Sequence, residues 1–182
     1  MNKNISHQEN NNNRVIIYLR HGEDVRDKYK YDEKLTEDGK EAARDFAEKL
    51  IQEYGVPDVI YCSPYYRTRQ TQRQMLKTIS KHTDKSIDKI IDPRLSRFFT
   101  KDQLRNPDIR KDTMKKQAPI YETFDEFKQR VKEQLDEVEQ NNKYKVIWCI
   151  GHTLIIKHVA KFKSIKRSHH IDYLDTVIIR TE

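Results

Sequence analysis

Val15-Ile16-Ile17-Tyr18-Leu19-Arg20-His21-Gly22 is a run of five apolar residues that stops abruptly on two basic side chains and a glycine. A short apolar run without polar alternation reads as a strand buried on both faces, as central strands of parallel sheets are. The pattern returns twice. Val59-Ile60-Tyr61-Cys62 leads into Ser63-Pro64, and Val146-Ile147-Trp148-Cys149-Ile150 leads into Gly151-His152-Thr153. Ile87 to Ile91 is a weaker third strand in chain order, and Leu174 to Arg180 a closing one.

Helical patterns fill the intervals. Thr36 caps a helix with Glu37 and Asp38 in its first turn, where the positive end of the helix dipole favours them. Its stripe is Ala43, Phe46, Ala47, Leu50, Ile51 and Tyr54, and Gly55 and Pro57 end it. Ser63 as cap and Pro64 as first helical residue predict a second helix. The capping box Thr123-x-x-Glu126 opens another, striped by Phe124, Phe127, Val131, Leu135 and Val138, and Thr153 to about Phe162 is a last one. Strands alternating with helices predict an α/β fold: a three-layer sandwich with a mostly parallel central sheet flanked by helices on both faces.

The polar, Asn-rich residues 1–13 read as a disordered tail, and residues 14–182 as a single domain with a basic excursion or cap at 94–119. No apolar run approaches the roughly 20 residues of a membrane span, and the N-terminus lacks the apolar core of a secretory signal. Cys62 and Cys149 each sit inside an apolar strand, which predicts buried reduced thiols and a cytoplasmic protein. Neither has a second ligand at metal-site spacing, so no metal is expected. The net charge is +7. It is concentrated in residues 94–117, with eight Lys or Arg against three Asp, and in 157–170, with five against none. Such patches suit an anionic partner, or are simply solvated lysine-rich faces. A nucleic acid is disfavoured as that partner, because no nucleic-acid module is present and aromatics are not interleaved with the basic runs.

In an open α/β sheet the ligand crevice lies beyond the carboxyl ends of the strands. The residues directly after the strands are therefore the candidates: Arg20, His21 and Gly22; Ser63, with Arg67 one turn into the helix; and His152 and Thr153. A neutral imidazole can attack phosphorus in line and form a phosphohistidine that water later opens. The phosphoryl oxygens stay charged throughout, so fixed guanidiniums and a second imidazole suit them.

Four blocks also occur in the order typical of one family: Tyr18-Leu19-Arg20-His21-Gly22-Glu23, Leu35-Thr36-Glu37-Asp38-Gly39, Ser63-Pro64-Tyr65-Tyr66-Arg67-Thr68-Arg69-Gln70-Thr71, and Gly151-His152. Over residues 14 to about 162 the chain resembles the histidine phosphatase superfamily, in its phosphoglycerate-mutase-like branch. The resemblance implies a phosphatase with His21 as nucleophile, Arg20, Arg67 and His152 as the rest of the phosphate pocket, and no metal or organic cofactor. Its substrate would be a phosphorylated small molecule or a phosphoprotein. Gly22, Glu23 and Thr153 are expected to line the phosphate or substrate site. Arg97 and Lys101 of the excursion, with Arg105, are expected to grip further anionic groups.

Two positions depart from the family pattern. Many relatives carry a proton-donating glutamate shortly after the third strand, where this chain has Arg97; others have an aspartate after the second histidine, where it has Thr153. Three readings are open. Another carboxylate serves, with Asp102 the leading candidate and Glu23 or Asp24 behind it; the leaving group needs little protonation; or the chain is a degenerate phosphatase that only binds phosphorylated partners. His82, His158, His169 and His170 are read as surface or groove residues.

Overall fold

The computed structural model of the chain describes residues 14–25, 32–167 and 170–181. The expected tail 1–13, much of the loop between Glu23 and Lys34, and His169 lie outside the described residues. In chain order the elements are β1 (Arg14–Arg20), α1 (Glu37–Tyr54), β2 (Val59–Cys62), α2 (Tyr66–Ile79), β3 (Asp88–Ile91), α3 (Lys101–Leu104), α4 (Pro107–Lys115), α5 (Phe124–Gln140), β4 (Val146–Gly151), α6 (Thr153–Phe162) and β5 (Thr176–Thr181). The strands form one sheet in the order β3-β2-β4-β1-β5, with β5 antiparallel to β1 and the other pairings parallel.

Alternate residues of each central strand feed opposite sides of this sheet. Ile16, Tyr18, Ile147 and Cys149 pack with Phe127, Val131 and Leu135 of α5 and Ile155, Ile156 and Val159 of α6. Val15, Ile17, Leu19, Trp148 and Ile150 pack with Ala43, Ala47 and Leu50 of α1 and Met75 and Ile79 of α2. That is the three-layer arrangement expected from the unbroken apolar strands. Both cysteines are buried and unpaired. No described helix is long and apolar enough to cross a membrane.

The structure moves several boundaries. Ser63 and Pro64 do not start a helix; α2 begins at Tyr66, with Tyr65 as its N-cap residue. The excursion, which shows little periodicity in the sequence, contains a 3-10 turn at Pro93–Leu95 and the short helices α3 and α4. Leu104, Ile109 and Ala118 from it pack with Phe99 against the fully buried Tyr65, in a satellite cluster apart from the two main ones. Arg130 of α5 clamps its base: the guanidinium donates to Glu122 and to the carbonyls of Arg94 and Ser96. His158 is buried rather than superficial, lying edge-on to Phe124 and Phe127.

Candidate active site

The register of three strands assembles the site. Arg20 at the end of β1 pairs with Gly151 of β4, and Cys62 at the end of β2 pairs with Ile150. The ladder runs one residue further on each side, with His21 N donating to Gly151 O (3.2 Å) and Ser63 N to Ile150 O (3.0 Å). Because β4 lies between β1 and β2, His152 falls between His21 and Ser63. Its Nε2 is 3.0 Å from Ser63 Oγ, and its ring is edge-on to that of His21 with centroids 5.4 Å apart.

His21 is only 4% exposed. Its Nδ1 lies 2.8 Å from the Gly22 carbonyl oxygen. A carbonyl only accepts, so Nδ1 carries the hydrogen and Nε2 is left with its lone pair. Burial and then the Arg67 guanidinium, with smaller contributions from Arg20 and Arg97, hold this imidazole well below its ordinary pKa, against the opposing pull of the Gly22 carbonyl. His152, 5% exposed at the N-cap of α6, is also held well below, by burial and then by Arg67, His21, Arg97 and Arg20. Two neutral imidazoles thus sit among three guanidiniums.

Each arginine has its own support. The closing turn before β5 wraps the end of β1, with Leu174 N donating to His21 O (3.4 Å) and Arg20 N to Asp175 O (3.0 Å). This lays Tyr173 against Arg20, whose guanidinium carbon is 4.1 Å from the ring centroid and whose Nη1 donates to Ile171 O at 2.6 Å. The Tyr173 ring is also 5.8 Å from that of His21. Arg67, 5% exposed, enters from the first turn of α2, with Asp24 Oδ2 3.8 Å away. Arg97 comes from the excursion and lies over Phe99, 4.6 Å from the centroid.

The other expected residues divide. Gly22 is held over α2 by its N–H, which donates to Thr71 Oγ1 at 3.0 Å. Glu23 is turned to the start of α1, accepting from Thr36 Oγ1 (3.0 Å) with its carboxylate and from Thr36 N (3.0 Å) with its carbonyl. Thr153 is the half-buried first residue of α6. Lys101 and Asp102 are not brought to the histidines: both are exposed on α3, and Asp102 pairs with Arg105 at 3.4 Å, each side chain 83% exposed. The N-terminus of α2 is not open to an anion, because Asp32 Oδ1 accepts from Tyr66 N (2.6 Å) and occupies an anion's place there. Asp32 also pairs with Lys116 at 2.9 Å.

Tyr65 and Tyr173 are the members that sequence reasoning missed, and Ser63, a candidate by its place after β2, was expected to cap a helix rather than to meet His152. The Ser63-Pro64 pair carries a signal, but one that suits a helix cap equally well. The Tyr65 ring meets the His152 ring edge-on at 5.4 Å. It thereby links the site to the apolar cluster under the excursion.

Burying neutral histidines has a consequence for stability. The unfolded chain takes up protons on His21 and His152 as the pH falls through about 6.5, whereas the folded state resists them. More protons on the unfolded state means that stability falls with falling pH in this window, by up to about 1.4 kcal/mol per unit for each histidine. Urea unfolding between pH 7.5 and 5 is expected to show a dropping midpoint that flattens when both histidines are replaced by Gln or Asn. An equal drop in the double variant would place the acid sensitivity elsewhere.

Among solved structures, the chain is similar to the phosphoglycerate mutase of Bacillus anthracis str. Sterne, with TM-score 0.66 and 17% identity over 93% of this chain and 88% of that one. It is similar to the protein histidine phosphatase SixA complexed with tungstate, with TM-score 0.62 and 16% identity over 90% and 86%. The ecdysone phosphate phosphatase of Bombix mori, also in complex with tungstate, gives TM-score 0.60 and 18% identity over 92% and 89%. No curated protein sequence matches the chain significantly. The sequence profile of the histidine phosphatase superfamily (branch 1) matches residues 16–172, so the chain belongs to that superfamily.

Proposed function

We propose that the chain is a phosphatase that works through a phosphohistidine at His21. The observation that carries this reading is the state of that imidazole: buried, held neutral, its Nδ1 hydrogen committed to the Gly22 carbonyl, and ringed by Arg20, Arg67 and Arg97. The lone pair on Nε2 attacks phosphorus as the bond to the leaving oxygen breaks. Water then attacks the phosphohistidine, the N–P bond breaks, and inorganic phosphate and free His21 result. The arginines neutralise the charged phosphoryl oxygens throughout both steps, and His152, oriented by Ser63 Oγ, adds a ring N–H donor. Two of the solved relatives are phosphatases holding tungstate, an oxyanion that mimics phosphate. The substrate is a phosphorylated small molecule or a phosphoprotein.

The test is to mix the protein with an aryl phosphate labelled in its phosphoryl group and quench within the first turnovers. Label that is acid-labile, base-stable and maps to the peptide containing His21, together with turnover inhibited by tungstate, is the expected result. Turnover without label on His21 would sink the phosphohistidine route, and no turnover at all would sink the phosphatase.

A further inference from the structure

Resting on the phosphatase reading, we propose that Asp24 is the proton donor to the leaving group, with Tyr173 its positioning residue. Arg97 and Thr153 stand where relatives keep carboxylates, so the acid has to come from elsewhere on the rim. Asp102 is exposed to solvent and paired with Arg105. Glu23 is spent on Thr36 at the start of α1. Asp24 is different. Its Oδ1 accepts from the Tyr173 hydroxyl at 2.9 Å, and its Oδ2 lies 3.8 Å from Arg67 Nη1, with the side chain only 17% exposed.

Those two contacts tie Asp24 to both sides of the nucleophile. Tyr173 lies against both the Arg20 guanidinium and the His21 ring, and Arg67 is the cation that acts most strongly on His21. The backbone around Asp24 is fixed as well. It forms a β-bridge with Leu35, Val25 N donates to Lys34 O (2.9 Å), and Leu35 N donates to the buried Gln70 Oε1 of α2 (2.7 Å). A loop so pinned can keep a carboxyl in one place through a catalytic cycle.

Substrate binding supplies the proton. The phosphomonoester enters as its monoanion, and its phosphoryl proton passes to an Asp24 carboxylate oxygen as the arginines take up the phosphoryl oxygens. As His21 Nε2 bonds to phosphorus and the P–O bond breaks, that proton passes to the departing oxygen, which leaves as an alcohol. The Asp24 carboxylate then takes a proton from the incoming water as its oxygen bonds to phosphorus and the N–P bond breaks. That proton leaves with the inorganic phosphate, and the carboxylate is restored for the next turnover.

The experiment compares leaving groups. Asp24→Asn keeps the shape and a partner for Tyr173. It is expected to lower kcat/KM for an alkyl phosphate by about 10²–10⁴-fold, while the nitrophenolate burst from p-nitrophenyl phosphate, a leaving group stable as its anion, keeps its amplitude. The steady-state rate after the burst should slow, since water has lost its base. Tyr173→Phe, which retains the ring against Arg20, should show the same leaving-group bias to a smaller degree, in kcat rather than KM. Glu33→Gln, at a buried carboxylate on the neighbouring loop, should show no such bias. An equal effect of Asp24→Asn on both substrates, or a bias that appears with Glu33→Gln instead, overturns the assignment. If the wild type turns over neither substrate, the phosphatase reading fails and this one with it.

Discussion

Arg67→Ala is expected to lower kcat/KM for an aryl phosphate by about 10³-fold and to move the acid limb of the pH profile upward. Both effects have one origin. Arg67 is buried beside Asp24 and acts electrostatically on both histidines, where a guanidinium meets the phosphoryl oxygens with little competition from water. It is also, after burial itself, the largest influence holding His21 below its ordinary pKa. Attack requires neutral His21, so the acid limb of kcat/KM, which reports the free enzyme, lies well below about 6.5 in the wild type. Removing the cation makes the imidazolium easier to form and shifts that limb toward neutrality. Burial still acts, so the limb stays below the ordinary value. Arg67→Lys separates the two roles: the charge keeps the limb low, but one ammonium cannot replace a two-pronged fork, so the rate stays depressed. Profiles of both variants with one substrate cancel the substrate's own ionisation. A limb that does not move in Arg67→Ala would mean that burial alone keeps His21 neutral.

How far the sequence carried depends on whether a feature is local. The strands were legible because Val15–Leu19 and Val146–Ile150 are unbroken apolar runs, and the chemistry-bearing residues stand directly after each of them. Arg20, His21, Arg67 and His152 are brought together as the motif blocks imply, and Arg97, a departure from the family pattern, acts on both histidines from the excursion. Strand order is not local, so nothing in the sequence said that His152 would lie between His21 and Ser63, or that Ser63 would turn its hydroxyl to a ring rather than to a helix. Tyr173 was invisible for the same reason: it reaches Arg20 only because β5 returns antiparallel to β1. Lys101 and Asp102 failed in the opposite way. Their charge was plain, but charge carries no direction, and α3 buries Leu104 while leaving those two outside. His158 read as a surface or groove residue because nothing local reveals that its face of α6 meets Phe124 and Phe127.

The second large effect is expected at Gly39, which has no chemical group of its own to offer. Gly39 lies in the first turn of α1, where that helix is pressed against the backbone of the loop carrying His21. A methyl group there would overlap the carbonyl oxygen of Glu23 outright, with Glu23 N and C only 3.0 Å away. None of these is the tip of a flexible side chain, so relief requires the helix and the loop to separate. The loop has little slack, being held by Gly22 N on Thr71 and by Thr36 on Glu23. Overpacking of this kind costs about 1–3 kcal/mol, sometimes more. Gly39→Ala is therefore expected to lower the urea midpoint markedly and to remove most turnover, because the strain falls on the segment from Gly22 to Asp24. Two other glycines calibrate the result. At Gly22 a Cβ would come within 2.8 Å of Gly39 O, from the other side of the same contact, so Gly22→Ala should do nearly as much harm. At Gly55, which ends α1 at φ 85°, a Cβ meets nothing within 4 Å. Gly55→Ala, at φ 85° and ψ 175°, should thus cost the roughly 1–3 kcal/mol of a backbone region open essentially to glycine alone, yet leave turnover intact. If Gly55→Ala loses turnover as Gly39→Ala does, backbone conformation and not the close approach of α1 to the loop is what these glycines serve. If Gly39→Ala is destabilised yet fully active, the helix yields and the loop does not, and the clasp between them has no part in holding His21.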